Sequence, residues 1–130
     1  MTMLDPWEDA AVLAERLSDP QTRLVLVVAA EAWCGKCRTL KPAFEAWAAD
    51  APPSDIPLWL DLDEHGPLLG DYLPEDLPEI LVYQDGQLIG RTFYRADAGP
   101  LADQIAGALP AGDDPGLLRQ LLRQDWAACA

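Results

Sequence analysis

Hydrophobic positions in this chain change period from segment to segment, and the changes mark out elements. Asp5-Pro6-Trp7-Glu8 reads as a helix start, with Asp5 accepting from the first free N–H groups, Pro6 at the first helical position and Glu8 closing a capping box. Val12, Leu13 and Leu17 carry its apolar face to about Ser18, and Asp19-Pro20 breaks it. Arg23 to Ala29 is β-branched and continuously apolar, the pattern of a central strand covered on both faces. Leu40, Phe44 and Trp47 then recur at helical spacing, with Pro42 expected to kink the helix. A Pro-rich loop leads to a short strand, Leu58 to Leu62, and Leu68 to Tyr72 suggests a short helix. Ile80 to Tyr83 and Leu88 to Tyr94 flank Asp85-Gly86, a hairpin turn signal. Leu101, Ile105 and Leu109 mark one more helix, and a last helix runs from Leu117 to Ala127. The fold class is therefore α/β: a central mixed sheet flanked by helices. Residues 1–110 form the expected domain and residues 111–130 a C-terminal helical extension.

Charge narrows the function classes. The 130 residues carry a formal net charge of −13, and Lys36 and Lys41 are the only lysines. Such a surface repels phosphate backbones and anionic lipid, so neither nucleic acid nor membrane is expected as a partner. It suits solubility first and a basic partner second. Leu24 to Ala30, the longest apolar run, is far too short to span a bilayer. The acidic N-terminus lacks the basic and apolar regions of a signal peptide, which makes the cytoplasm the expected location. Three cysteines do not build a disulfide framework, and a reducing compartment favours catalytic or metal-binding thiols.

Two of those cysteines, Cys34 and Cys37, lie in Glu31 to Pro42, between the apolar strand and the next helix. A zinc site needs four ligands, and only His65 and Cys129 remain, both distant in sequence, so no metal is expected. At the start of a helix, free N–H groups and the positive end of the dipole favour a thiolate on Cys34, and Lys36 pushes the same way. Cys34 is thus the expected exposed, attacking thiol, and Cys37, one turn further in, the more buried resolving one.

The stretch Ala32-Trp33-Cys34-Gly35-Lys36-Cys37 after a buried strand resembles the active site of the thioredoxin family. Pro78 stands where that family places a cis-proline before its hairpin, and Pro42 and Asp85-Gly86 also fit, so the resemblance covers roughly Leu4 to Leu109. It implies a thioredoxin fold and thiol–disulfide oxidoreduction on protein disulfides, by a monomer with no organic cofactor, supplied by a thiol or reductase electron donor. It also implies a client groove formed by Trp33, Gly35, Lys36, Leu77, Pro78 and the region of Phe93-Tyr94. Cys34 would attack the client disulfide and Cys37 would release the reduced client. The competing reading is a non-catalytic adaptor or chaperone that binds one partner through the same groove.

Departures from the family pattern sharpen these expectations. A buried aspartate and a nearby lysine usually assist the resolving thiol, and Val28 and Trp59 stand there instead. The second step should then be slow unless Glu31 or water takes the proton. Lys36 replaces a usual proline and should make the pair more oxidising. Glu79 follows the proline where a small polar residue is usual, Tyr94 replaces a glycine, and Glu75 and Asp76 lie close by. A narrower, more acidic groove with a restricted, basic client set is the consequence. His65 reads as a solvated loop residue, Trp47 and Trp59 as packing, Trp126 as the anchor of the last helix, and Cys129 as a frayed free thiol.

Overall fold

The computed structural model describes residues 3–123. Its elements run α1 (Ala10–Leu17), β1 (Arg23–Ala29), α2 (Gly35–Asp50), β2 (Asp55–Asp61), α3 (Gly66–Leu69), β3 (Glu79–Gln84), β4 (Gln87–Phe93), α4 (Leu101–Ala106) and α5 (Leu117–Arg123). The four strands form one sheet in the order β2-β1-β3-β4. β1 pairs parallel with β2 and antiparallel with β3, and β3 pairs antiparallel with β4. The apolar run therefore fills an interior strand, and residues Leu24 to Ala30 are all buried. β2 begins three residues earlier than the apolar pattern suggests. Arg23 on β1 holds Asp55 by a two-point ion pair at 2.7 and 3.0 Å, and Pro57 is tolerated because β2 is an edge strand.

Asp5 caps the first turn as its sequence position suggests: its Oδ1 accepts from the N–H groups of Trp7 and Glu8. The reciprocal contact comes from Asp9, not Glu8, with Asp9 Oδ2 accepting from the Asp5 N–H at 2.7 Å. In α2, Cys37, Leu40, Phe44 and Ala48 form the buried face, and Trp47 stacks on Phe44 with ring centroids 5.7 Å apart.

The hairpin turn places Asp85 at φ 51° and Gly86 at φ 75°, the paired left-handed conformations of a type I′ turn. Gly90 on β4 answers a different need. A Cβ there would lie 2.9 Å from the Ala108 carbonyl oxygen, a backbone atom that cannot swing aside. Gly90→Ala is expected to lose about 1–3 kcal/mol of stability, read as a lower urea midpoint with an unchanged slope.

The chain after α4 departs from the sequence reading. Leu109 is not on a helix face but 73% exposed, because the helix ends near Gly107 and the Leu109 carbonyl accepts from the Arg91 N–H on β4. The last helix folds back: Leu117, Leu118 and Leu121 join the main core, with α5 against α1 and α3. Tyr83 OH donates to Asp114 Oδ1 at 2.7 Å and pins the linker. Trp126 and Cys129 lie outside the described residues.

Glu79 was expected to acidify the groove. It is instead 2% exposed, with its carboxylate accepting from Tyr72 OH and, at 3.1 Å, from Arg91 Nε. Arg91 also donates to Tyr72 OH and to the carbonyls of Ala111 and Asp113, so one guanidinium ties β3 and β4 to the C-terminal segment. Burial pushes the Glu79 carboxyl above its ordinary value of 4.5, against the pull of Tyr72 and Arg91. Tyr72 is pushed up to about 12, by burial first and by the Glu79 carboxylate second.

Candidate active site

The two cysteines sit where β1 ends and α2 begins. Cys34 is the N-cap of α2, with extended backbone (φ −115°, ψ 109°), and its Sγ accepts from the Cys37 N–H at 3.3 Å. The helix start thus aims a free N–H at the first sulfur, where a side-chain oxygen commonly serves. Cys37 Sγ points inward and accepts from the Ala30 N–H at 3.4 Å. Both cysteines are free thiols. The expected order of burial holds, since Cys37 is 0% exposed, but Cys34 is only 8% exposed and is not the open thiol the sequence suggested. Its N-cap geometry turns the sulfur toward the helix and leaves it an approach from the surface.

That approach is a groove of about 560 Å³. Trp33, Gly35 and Lys36 form one bank beside Cys34, and residues 73–77 form the other. The Leu77–Pro78 bond is cis, and Pro78 is buried at the start of β3. Trp33 and Leu73 are 61% and 70% exposed, so the banks carry apolar side chains into solvent. The sequence reading named Leu77 on that bank, with Glu75 and Asp76 close by and the region of Phe93-Tyr94 added, and did not name Leu73 or Pro74. Phe93 lines an adjoining hollow with Tyr72 and Arg91, which shares residues 73–75 with the groove at Cys34. The sequence signal for Leu73 and Pro74 was their place in the loop that leads into Pro78.

Lys36 Nζ meets Asp76 Oδ1 at 2.9 Å, and the same oxygen accepts from the Leu77 N–H at 2.8 Å. These contacts, the Lys36 hydrogen bond first, hold the Asp76 carboxyl below the usual carboxylate range. The lysine expected to act on the redox pair therefore has a carboxylate beside it.

Beneath Cys37 the packing is apolar. Val28 is fully buried, and Trp59 is 5% exposed against Phe44, with Lys41 Nζ 4.5 Å above its ring. Lys41 thus supplies from α2 a cation over the place where the family has a lysine on the strand. It also meets the Glu31 carboxylate at 3.5 Å, in a partly exposed ion pair. Asp61 is the acid that sequence reading overlooked. It is buried, pairs in register with Ala29, and its Oδ2 accepts from the Glu31 N–H, one residue beyond the N–H that holds Cys37. Burial, then the hydrogen bond with Cys34, pushes the Cys37 thiol up to about 12, and the Asp61 charge adds a little in the same direction.

His65 is also displaced from expectation. It is 4% exposed, its Nδ1 accepts from the Asp61 N–H at 2.9 Å, and its ring lies 6.1 Å from Trp7. The short turn after β2 folds it inward to satisfy that backbone donor, and burial lowers its pKa. Among the described residues no group of three or more His, Cys, Asp or Glu side chains is placed to hold a metal ion, and no helix is long and apolar enough to cross a membrane.

A helix-capping thiol with a buried partner, facing a cis-proline across a groove, is the arrangement of a thiol–disulfide oxidoreductase. The thioredoxin family model matches residues 9–106. Thioredoxin from Chlamydia trachomatis is 31% identical over 83 residues, which cover 64% of this chain and 80% of that protein. Thioredoxin from Staphylococcus aureus is 34% identical over 59 residues, covering 45% of this chain and 57% of that protein. Among solved structures, a thioredoxin from Nicotiana alata superposes with a TM-score of 0.59 at 20% identity, covering 77% of this chain and 84% of its own. A mutant thioredoxin from Halobacterium salinarum gives 0.56 at 20% identity, covering 86% and 91%. The chain belongs to the thioredoxin family, and thiol–disulfide oxidoreduction is its chemistry.

Proposed function

We propose that this protein reduces protein disulfides through Cys34 and Cys37, taking electrons from a thiol or a reductase. The observation that carries the reading is Cys34, its Sγ accepting from the N–H of the buried Cys37, opening with Leu77 onto one groove. Cys34, as thiolate, attacks one sulfur of the client disulfide. A Cys34–client bond forms, and the other client sulfur leaves as thiolate and takes a proton. The Cys37 N–H stays within reach of the reacting sulfur. Cys37 then loses its proton and attacks Cys34 Sγ. The Cys34–Cys37 disulfide forms, the second client thiolate departs, and an external dithiol restores the pair.

Trp33, Gly35, Lys36, Leu77 and Pro78 hold the client. Trp33 offers an apolar face, Gly35 lets a chain pass close to Cys34, and Leu77, just outside the sheet, offers backbone to an extended segment in the manner of strand addition. The acidity expected of the groove rests on Glu75 and Asp76 alone, since Glu79 is sealed in the interior. Basic clients are therefore favoured.

The decisive measurement is reduction of insulin with dithiothreitol recycling. The parent protein is expected to accelerate it, and Cys34→Ser is expected to fall to the uncatalysed rate. A Cys34→Ser variant that still binds a client, alongside a parent that shows no turnover, would instead establish the adaptor reading.

A further inference from the structure

The groove carries its own plug. Leu77 lines the groove with Cys34, and its backbone donor, which strand addition by an extended client would use, is already taken. Asp76 Oδ1 accepts from the Leu77 N–H at 2.8 Å and from Lys36 Nζ at 2.9 Å, so one oxygen joins the two banks. Lys36 and Asp76 side chains are 58% and 45% exposed, which makes their pair weak and exchangeable. Its ionised form persists at working pH, since both contacts favour the charged carboxylate.

We propose that Asp76 is a specificity-determining residue: its carboxylate occupies the Leu77 donor until a client cation takes the place of Lys36 and draws the carboxylate aside. This rests on the oxidoreductase reading above and assigns it a client class, disulfides with Lys or Arg beside the attacked cysteine. A cationic client side chain gains Asp76 and the neighbouring Glu75. It also releases Lys36 toward the thiolate it was expected to serve. An acidic client competes with Asp76 for Lys36, meets Glu75, and leaves the carboxylate seated on Leu77. An uncharged client has to displace the carboxylate from the N–H with a carbonyl alone.

Three disulfide peptides, identical except for Lys, Gln or Glu beside the cysteine, separate charge from plugging. The parent is expected to prefer the Lys peptide over the Glu peptide in kcat/KM by about three- to fivefold, the scale of one exposed ion pair, and to lose the preference in high salt. Asp76→Asn keeps an oxygen for the Leu77 N–H but removes the charge. It is expected to level the three peptides without raising the Gln peptide. Asp76→Ala removes both and is expected to level the preference and also lower KM for the Gln peptide. Preference retained in Asp76→Asn, or no preference in a parent whose turnover depends on Cys34, overturns the proposal and leaves the oxidoreductase reading standing. Equal Gln-peptide KM in the Asn and Ala variants overturns the plug. Turnover that survives Cys34→Ser defeats the underlying reading itself.

Discussion

With Cys37 replaced by serine, turnover is expected to stop and the protein to accumulate as a covalent adduct with its client through Cys34. Mass spectrometry of a non-reduced reaction checks it, because the adduct has the summed mass of protein and client and vanishes with excess dithiothreitol. The serine variant isolates the step that the packing is expected to slow in the parent. Burial is the first cause that pushes the Cys37 thiol up, and it persists in the mixed disulfide, where Cys34 carries no charge. Val28 offers no carboxylate there, and that of the buried Asp61 is engaged by the Glu31 and Asp63 N–H groups. Near neutrality the resolving sulfur is therefore a thiol, and its thiolate fraction grows about tenfold per pH unit. Stopped-flow release of client from the parent is expected to accelerate with that slope between about pH 6 and pH 9. A flat profile across that range would mean that proton loss from Cys37 does not limit release.

The largest expected loss of stability follows Arg91→Ala. Glu79 would keep its buried place and lose its cation, and breaking a buried pair from one side costs about 3–5 kcal/mol. The pH dependence has a definite sign. Burial raises the folded-state value of Glu79 above 4.5, so the native state binds this proton more tightly than the unfolded chain does. Its contribution is fully present below the unfolded value and is lost as pH rises through the folded one. Without Arg91 the folded value climbs further. Urea unfolding is then expected to show a penalty that is full at pH 7 and shrinks toward pH 4. Adding Glu79→Gln to Arg91→Ala should recover much of the loss at pH 7, because a neutral amide no longer has a buried charge to compensate. A penalty that ignores pH and survives the second substitution would trace the damage instead to the lost carbonyl contacts of Ala111 and Asp113.

The strand at Arg23–Ala29 was legible because an interior strand has to be apolar on both faces, and the hairpin because Asp-Gly suits paired positive φ values. The cysteine pair and Pro78 were legible as punctuation at element ends. What sequence reading lost were residues whose environment is set by distant partners. Glu79 looks like a surface acid until Arg91 and Tyr72 close over it. His65 looks like a loop residue until the Asp61 N–H needs an acceptor. Leu109 continues a helical spacing, yet its carbonyl is claimed by Arg91 of β4. Asp55 and Pro57 hid the start of β2, since neither is a strand former and an ion pair from Arg23 sets the boundary. Asp76 reads as one of several acids, and it is the fold that brings a single oxygen of it to both Leu77 and Lys36.

The borders of the sheet have a bearing on how this protein behaves when crowded. One margin is β2, where Pro57 has no N–H to give a newcomer. The other is β4, where the Leu109 carbonyl already sits on the Arg91 N–H. A neighbouring molecule seeking to extend the sheet meets an interrupted ladder on either flank. The same chain whose groove is proposed to admit extended peptides thus presents broken edges to its own copies.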